Sequence, residues 1–371
     1  MTGSAATAAT DVGTVEFIGW AAPQESSEVM APRGAVFDAD VLAETARVHE
    51  AAGFDRVLIG YFTNAPDGFL VAAHVAASTE RLGLLLAHRP GFVAPTLAAR
   101  KLATLDQLSR GRAAVHIISG GSDEDQARDG DFAGHAERYR RSAEYVELLR
   151  RTWAARQPFD HEGEFYRVVG AVSAVAPWAG DAIPVYGGGG SDAAIAALAP
   201  VIDTFMLWGE PLADTVEFMA RVRAAAGTNP IRFSVSTRPI LGRTEDEAWA
   251  RARRFLEIVE SRRRPAPTSA PNVGSQRLLD VAGRSEVFDR CLWTPLAAAT
   301  GARGNSTALV GTAETVAAAL ADYVDAGAST LLIRGYEPLA DAVEYGRELI
   351  PRVRALVAER ASTRRVTAAS R

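Results

Sequence analysis

Cysteine is almost absent. Cys291 stands alone among 371 residues, which excludes an internal disulfide and any cysteine-based metal site and fits synthesis in a reducing compartment. Positive charge is not in surplus either. Lys and Arg total 40 against 45 Asp and Glu, a formal net charge of -5, so the basic footprint of a nucleic-acid partner is missing. No stretch reaches the roughly 20 apolar residues that span a bilayer. The opening Met1–Thr10 segment lacks the basic start and apolar run of a signal peptide. A cytoplasmic chain with no membrane and no nucleic-acid partner is expected. His49, His74, His88, His116, His135 and His161 are scattered, with no two at ligand spacing on one helix, so no metal site is expected. Neither a Walker motif nor a G-x-S-x-G elbow occurs. Metal-based and serine-based chemistry are thereby disfavoured, and an organic cofactor has to be considered.

What is present is 48% apolar residues in a repeating order. Short apolar runs alternate with longer helical patterns. The runs are Val15–Trp20, Arg56–Tyr61, Leu82–Ala87, Ala113–Ser119, Ile183–Tyr186, Thr204–Trp208, Arg232–Arg238 and Ser329–Arg334. Near-continuous apolar strands separated by helices predict a parallel sheet covered on both faces. Eight of them fit an α/β fold, a (β/α)8 TIM barrel in a single domain, with a doubly wound open sheet as the competitor. Asp40 is expected to cap the first helix, and Pro95 to sit in the first turn of the third. The domain is expected over 14–360, between a disordered stretch at 1–13 and a disordered tail at 361–371. Two insertions interrupt the rhythm, 157–182 and 262–307. The second is rich in Arg, Pro, Ser, Ala and Gly and lies before the last βα unit, where it would cover the end of the barrel that carries active sites.

Several short motifs fall at strand ends. Gly187–Asp192 (GGGGSD) follows the fifth strand and opens a helix; consecutive glycines bring backbone N–H groups close to an anion at a helix N-terminus. Such a turn is just as often only a tight turn. Tyr139, in His135–Tyr139 (HAERY) at the start of the long fourth helix, offers a hydroxyl to a phosphate, or simply belongs to a capped helix start. Ser119–Ser122 (SGGS) ends the fourth strand with glycines against which a flat ring could lie. Trp208–Pro211 (WGEP) ends the sixth, where the indole walls a pocket or packs the barrel mouth.

Taken in order, a set of strings resembles the bacterial luciferase-like flavin-dependent monooxygenases, closest to the FMNH2-dependent alkanesulfonate monooxygenases. They are Arg89–Gly91 (RPG), Pro95–Asp106 (PTLAARKLATLD), Ser109–Arg112 (SRGR), Ser119–Gly121 (SGG), His135–Tyr139 and Phe159–Gly163 (FDHEG). Gly188–Ala194 (GGGSDAA), Trp208–Pro211, Thr244–Trp249 (TEDEAW), Thr307–Gly311 (TALVG) and Gly335–Tyr336 follow. Each is short; jointly they cover about residues 15 to 355.

The resemblance implies a TIM barrel that binds reduced FMN (FMNH2), supplied by a separate NAD(P)H:FMN reductase. It implies O2 as co-substrate and a small organosulfur substrate, an alkanesulfonate cleaved to aldehyde and sulfite. A dimer or tetramer is also implied. The FMN phosphate would lie on Gly188, Gly189, Gly190, Ser191 and Tyr139, with Ser119 bordering the ring. Arg303 matches the family's mobile-loop arginine, Tyr336 its active-site tyrosine and Trp208 its tryptophan. Two positions depart. The family's cysteine falls near Ala65, and its Arg-x-His on the seventh strand falls on Ser236–Arg238. Residues two apart on a strand share a face, so Arg238 can still present a guanidinium to an oxyanion, displaced by two residues. A dimethyl-sulfone-type oxygenase and a deazaflavin (F420)-dependent oxidoreductase on the same fold are the alternatives.

Overall fold

The computed structural model describes residues 14–262, 272–304 and 307–369. Eight parallel strands close into a barrel: β1 (Glu16–Ala21), β2 (Arg56–Ile59), β3 (Gly83–His88), β4 (Ala113–Ile117), β5 (Val185–Gly188), β6 (Thr204–Trp208), β7 (Arg232–Leu241) and β8 (Thr330–Ile333). Closure is made by β8, which pairs with β7 through Thr330↔Ser234 and with β1 through Glu16↔Thr330. The open-sheet alternative is thereby set aside. The expected strands are all present, with ends that differ by at most three residues.

Strand parity decides what fills the barrel. Outward residues such as Phe17, Val57, Leu84, Val115 and Phe205 pack under the surrounding helices in the main core. Inward residues form a separate cluster of Ile18, Leu58, Leu85, Ala114, Tyr186 and Leu332. Below them Glu16 accepts hydrogen bonds from Arg56 Nε (2.5 Å) and Tyr186 Oη (3.2 Å), plugging the N-terminal end with satisfied polar groups. The cavity is left to the C-terminal end.

The helix over 39–51 is capped by Asp38, whose carboxylate accepts from Asp40 N and Val41 N, not by Asp40, which instead places its charge in the first turn. Pro95 opens its helix as expected. The insertion at 157–182 carries a small antiparallel pair, Phe159–Glu162 and Arg167–Ala171.

The segment before the last βα unit is far less irregular than its composition suggests. It holds a helix (Val273–Arg284), two short strands (Val287–Phe288 and Leu292–Trp293) and a helix (Pro295–Thr300). A strand over Ala308–Gly311 then lies parallel to the far half of β7, starting at Ala308↔Arg238. The ten-residue length of β7 allows this: its first half belongs to the barrel, and its second half carries the insertion on the rim. The tail expected to be disordered from 361 is instead the end of a helix over Ile350–Ala369, docked through buried Val353, Val357 and Ala361. The stretch 1–13 lies outside the described residues. No described helix is long and apolar enough to cross a membrane.

Candidate functional site

A cavity of about 670 Å³ opens at the C-terminal end of the barrel, within the usual size of a ligand site. Inward residues of the strands form its floor: Leu58, His116, Met206 and Leu332. His116 is half-buried, and its buried Nδ1 has no hydrogen-bond partner among the described residues. Burial pulls its pKa down to about 4, so the ring is neutral at pH 7.

One pole is built of glycines. Gly188, Gly189, Gly190 and Ser191 line the cavity together with Tyr139 and Ser119, so the structure brings together every residue proposed for phosphate and ring contact. The close approach here needs glycine for reasons of space. A Cβ on Gly188 would sit 2.6 Å from the Met206 carbonyl oxygen, and one on Gly189 would run into Tyr139 Oη and Ala194 Cβ. Ser191 caps the helix over Asp192–Leu198 by accepting from Ala194 N (3.1 Å), and lies 3.1 Å from His135 Nε2. A second helix start faces this turn. A Cβ on Gly190 would lie 3.1 Å from Gly274 N, in the first turn of the Val273–Arg284 helix, which Asn272 caps by accepting from Ser275 N. The turn thus lies against the backbone N of Gly274 on one side and the Tyr139 hydroxyl on the other, where burial pushes the phenol up to about 12 and keeps it protonated. This cradle fits a phosphate-bearing cofactor such as FMN: it supplies donors and small residues, and the nearby Glu210 carboxylate is held by Arg277, whose Cδ would lie 3.4 Å from a Cβ on Gly190. Ser119 contributes little beyond position, because its hydroxyl is engaged with Ser142 Oγ at 2.9 Å. Gly120, at φ +86°, occupies the left-handed region against Gln126, which only glycine fills without strain.

Trp208 walls the cavity and is covered by the insertion, since a Cβ on Gly274 would lie 2.9 Å from its ring. Arg303 also lines the cavity, on an exposed loop between Gly301 and Gly304, at φ +65° and +76°. Among the described residues it has neither a hydrogen bond nor an ion pair.

The opposite pole differs from expectation. Arg238 reaches the cavity wall, but its donors are engaged. NH1 and NH2 each donate to one oxygen of Glu28 at 3.0 Å, Nε donates to the Arg334 carbonyl (2.7 Å), and NH2 donates also to the Gly335 carbonyl (2.9 Å). Burial would raise the Glu28 carboxyl, yet Arg238 outweighs it and holds the pKa at about 2; the same pairing raises Arg238. Tyr336 is not among the residues lining the cavity. It lies behind Arg238, whose guanidinium stacks 3.9 Å from the ring centroid, and packs on Phe255. Arg238 is therefore an engaged part of the wall, and Tyr336 supports it from behind.

Sequence reasoning missed Trp20, Glu28, Asn272, Gly274 and Arg334, all of which border the cavity. Strand parity could have found Trp20 and Arg334, which lie two residues beyond the inward Ile18 and Leu332. Glu28 lies in an irregular loop and carries no local signal. Among the described residues no group of His, Cys, Asp and Glu is placed to hold a metal ion.

Residues 15–330 match the sequence model of the luciferase-like monooxygenases. Solved structures share the fold. A riboflavin lyase with modified FMN and riboflavin is 20% identical, with TM-score 0.74 and 92% of each chain covered. The EDTA monooxygenase of Chelativorans sp. BNC1 is 19% identical, with TM-score 0.72 and 94% of each chain covered. The coenzyme F420-dependent tetrahydromethanopterin reductase of Methanopyrus kandleri is 17% identical, with TM-score 0.67, covering 91% of this chain and 99% of that one.

Proposed function

The chain belongs to the luciferase-like monooxygenase family, and from that premise we propose that it is the oxygenating component of a two-component, FMN-dependent system acting on a small organosulfur compound. An alkanesulfonate cleaved to an aldehyde and sulfite is the preferred substrate. The observation that carries the reading is the polarity of the cavity: an anion cradle whose neighbouring carboxylate, Glu210, is neutralised by Arg277 at one end, an arginine-bearing wall at the other, and a largely apolar floor between them. In the overall conversion RCH2SO3⁻, O2 and FMNH2 give RCHO, HSO3⁻, FMN and water, the reduced flavin supplying two electrons and two protons.

The chain's residues have separable tasks. The 188–191 turn, Gly274 and Tyr139 hold the phosphate. Leu58, Met206 and Leu332 exclude water from the floor, and neutral His116 neither gains nor loses a proton there at pH 7. Trp208 with the covering helix closes the side. Arg303, on its glycine-flanked loop, folds over an anionic substrate and shields the reaction from bulk water. Arg238 is an engaged part of the wall, and Tyr336 supports it from behind. The partners are a separate NAD(P)H:FMN reductase and further copies of the chain.

A substrate panel supplied with FMNH2 and O2 and scored for sulfite tests this. Sulfite from an alkanesulfonate is the expected result. Oxidation of a neutral sulfone without sulfite from any sulfonate would move the assignment to the dimethyl-sulfone type. The likeness to an F420-dependent reductase favours a second reading, hydride transfer from a deazaflavin. Titration with FMN, FMNH2 and F420 separates the two, because only the first reading predicts tighter binding of FMNH2 than of F420.

A further inference from the structure

Four arginines border the cavity: Arg238, Arg277, Arg303 and Arg334. Two of them are neutralised. Arg238 is paired with both oxygens of Glu28, and Arg277 with both oxygens of Glu210. Arg303 is free but exposed on its loop. Arg334 is different from all three. It directly follows β8, two residues after the inward Leu332, and its backbone N–H lies against the Thr237 carbonyl of β7 (3.4 Å). Its place at the strand end is therefore fixed.

The guanidinium of Arg334 lies over Trp20, 4.7 Å from the ring centroid. Its Nε is buried and has no hydrogen-bond partner among the described residues. Its side chain makes one long contact, NH2 donating to the Ser26 carbonyl at 3.5 Å. No described carboxylate pairs with it. Glu28 is the anion close by, and Arg238 has taken both of its oxygens. Counting Arg238, Glu28 and Arg334 gives +1 - 1 + 1, an uncompensated positive charge at the wall. Burial and repulsion from Arg238 bring the pKa of Arg334 down to about 10, so it is still charged at pH 7, at a cost. Arg334 is half-buried, and a charge held partly out of water without a carboxylate is unfavourable; the deficit is recovered when an anion arrives.

We propose that Arg334, and not Arg238, is the fixed anchor for the anionic head group of the substrate. Its planar fork suits the oxygens of a sulfonate or a carboxylate, and Trp20 holds that plane in place. Arg238 is a positioning residue: by binding Glu28 it keeps that carboxylate from cancelling the charge of Arg334. Specificity for an anion thus comes from the end of β8, with Arg303 added from the loop. The assignment rests on the cavity being the substrate site of an FMN-dependent oxygenase.

The test is calorimetric titration of the FMN-loaded protein with octane-1-sulfonate, octanoate and neutral methyl octyl sulfone. In Arg334→Gln the affinity for the sulfonate or the carboxylate, whichever the wild type binds, should fall by about 10- to 100-fold, the value of a charge-assisted contact. Sulfone affinity and the affinities for FMN and FMNH2 should not change, and Arg334→Lys should recover part of the loss. Circular dichroism confirms that each variant is folded; if Arg334→Gln is not, the Lys variant carries the same comparison of anion against sulfone. Undiminished anion binding, an equal loss for the sulfone, or a selective loss of FMNH2 would overturn the proposal, the last because the charge would then serve the flavin. A wild type that binds neither anion would overturn it too. Arg334-dependent anion binding in a protein that releases no sulfite leaves the anchor standing and removes the sulfonate oxygenase reading. Sulfite release with full anion affinity in Arg334→Gln does the reverse.

Discussion

At the scale of single residues, the meaning of an arginine here is set by whether a carboxylate has reached it first. Arg238 sits on a β7 position where the resemblance leads one to expect a substrate contact, and its charge is spent on Glu28. Removing it should therefore act mainly on stability. Arg238→Ala leaves half-buried Glu28 without its partner beside an empty space. Since the Glu28 side chain is 26% exposed, the loss for a fully buried broken pair, about 3–5 kcal/mol, is the upper bound. Denaturant unfolding should show that loss, with Glu28→Gln in the same background restoring part of it. Unchanged stability with a large rise in KM would instead make Arg238 a direct substrate ligand. This distinction was not legible in the sequence, because Glu28 is 210 residues away from Arg238 and lies in a loop without periodicity. Arg334 was legible in principle, since the two-residue repeat of β8 carries it to the inner face. A strand-end arginine before Gly335-Tyr336 nonetheless reads as part of a motif and not as a ligand.

At the scale of elements, the turn after β5 and the loop carrying Arg303 make separate predictions. Gly189→Val places a branched side chain against Tyr139 and Ala194, where the backbone should approach a phosphate. FMN affinity should fall about tenfold or more, as read by fluorescence titration, while anion binding at the far pole is kept. Arg303→Ala should behave in the opposite way. FMN binding should remain, kcat/KM should fall about 30-fold for a loss of ~2 kcal/mol, and more hydrogen peroxide should be released per flavin consumed. Equal coupling of flavin oxidation to product in wild type and variant would remove Arg303 from closure. The eight strands and the glycine turn could be read from apolar runs and punctuation because those signals are local. The insertion could not. Its helix over Val273–Arg284 and its rim strand are held by packing on Trp208 and by pairing with the far half of β7, which are partners distant in sequence. Composition alone, rich in Arg, Pro and Ser, suggested an irregular lid. The C-terminal tail misled in the same way: small and basic residues suggested disorder, yet an apolar stripe of Val353, Val357 and Ala361 docks it as a helix.

At the scale of the whole molecule, three histidines are held as neutral rings, His49 and His88 buried and His116 half-buried. His49, His88 and His116 are each pulled down by burial to a pKa of about 4 from 6.5. Between those values the unfolded chain binds protons that the folded protein refuses, so stability is complete above pH 6.5 and is lost as the pH falls toward 4. At pH 5 the three together should cost roughly 5–6 kcal/mol. The melting temperature should drop clearly from pH 7.5 to pH 5, and a flat profile would show that these rings are protonated in the fold. The closure of the barrel has a different kind of consequence, in the order of events during synthesis. The cradle is complete in its strands by residue 208, whereas β8, which pairs back onto β1, and Arg334 are among the last parts of the site to be made. Ser27 also waits for its partner, the Tyr336 carbonyl, 309 residues later. A growing chain on the ribosome therefore carries an exposed β1 edge and half a site until the final βα unit emerges. Contacts of such long sequence separation form slowly. The chain is most exposed to mispairing just before β8 emerges with Arg334, so a translational pause before that unit has left the ribosome would be more damaging than one after it.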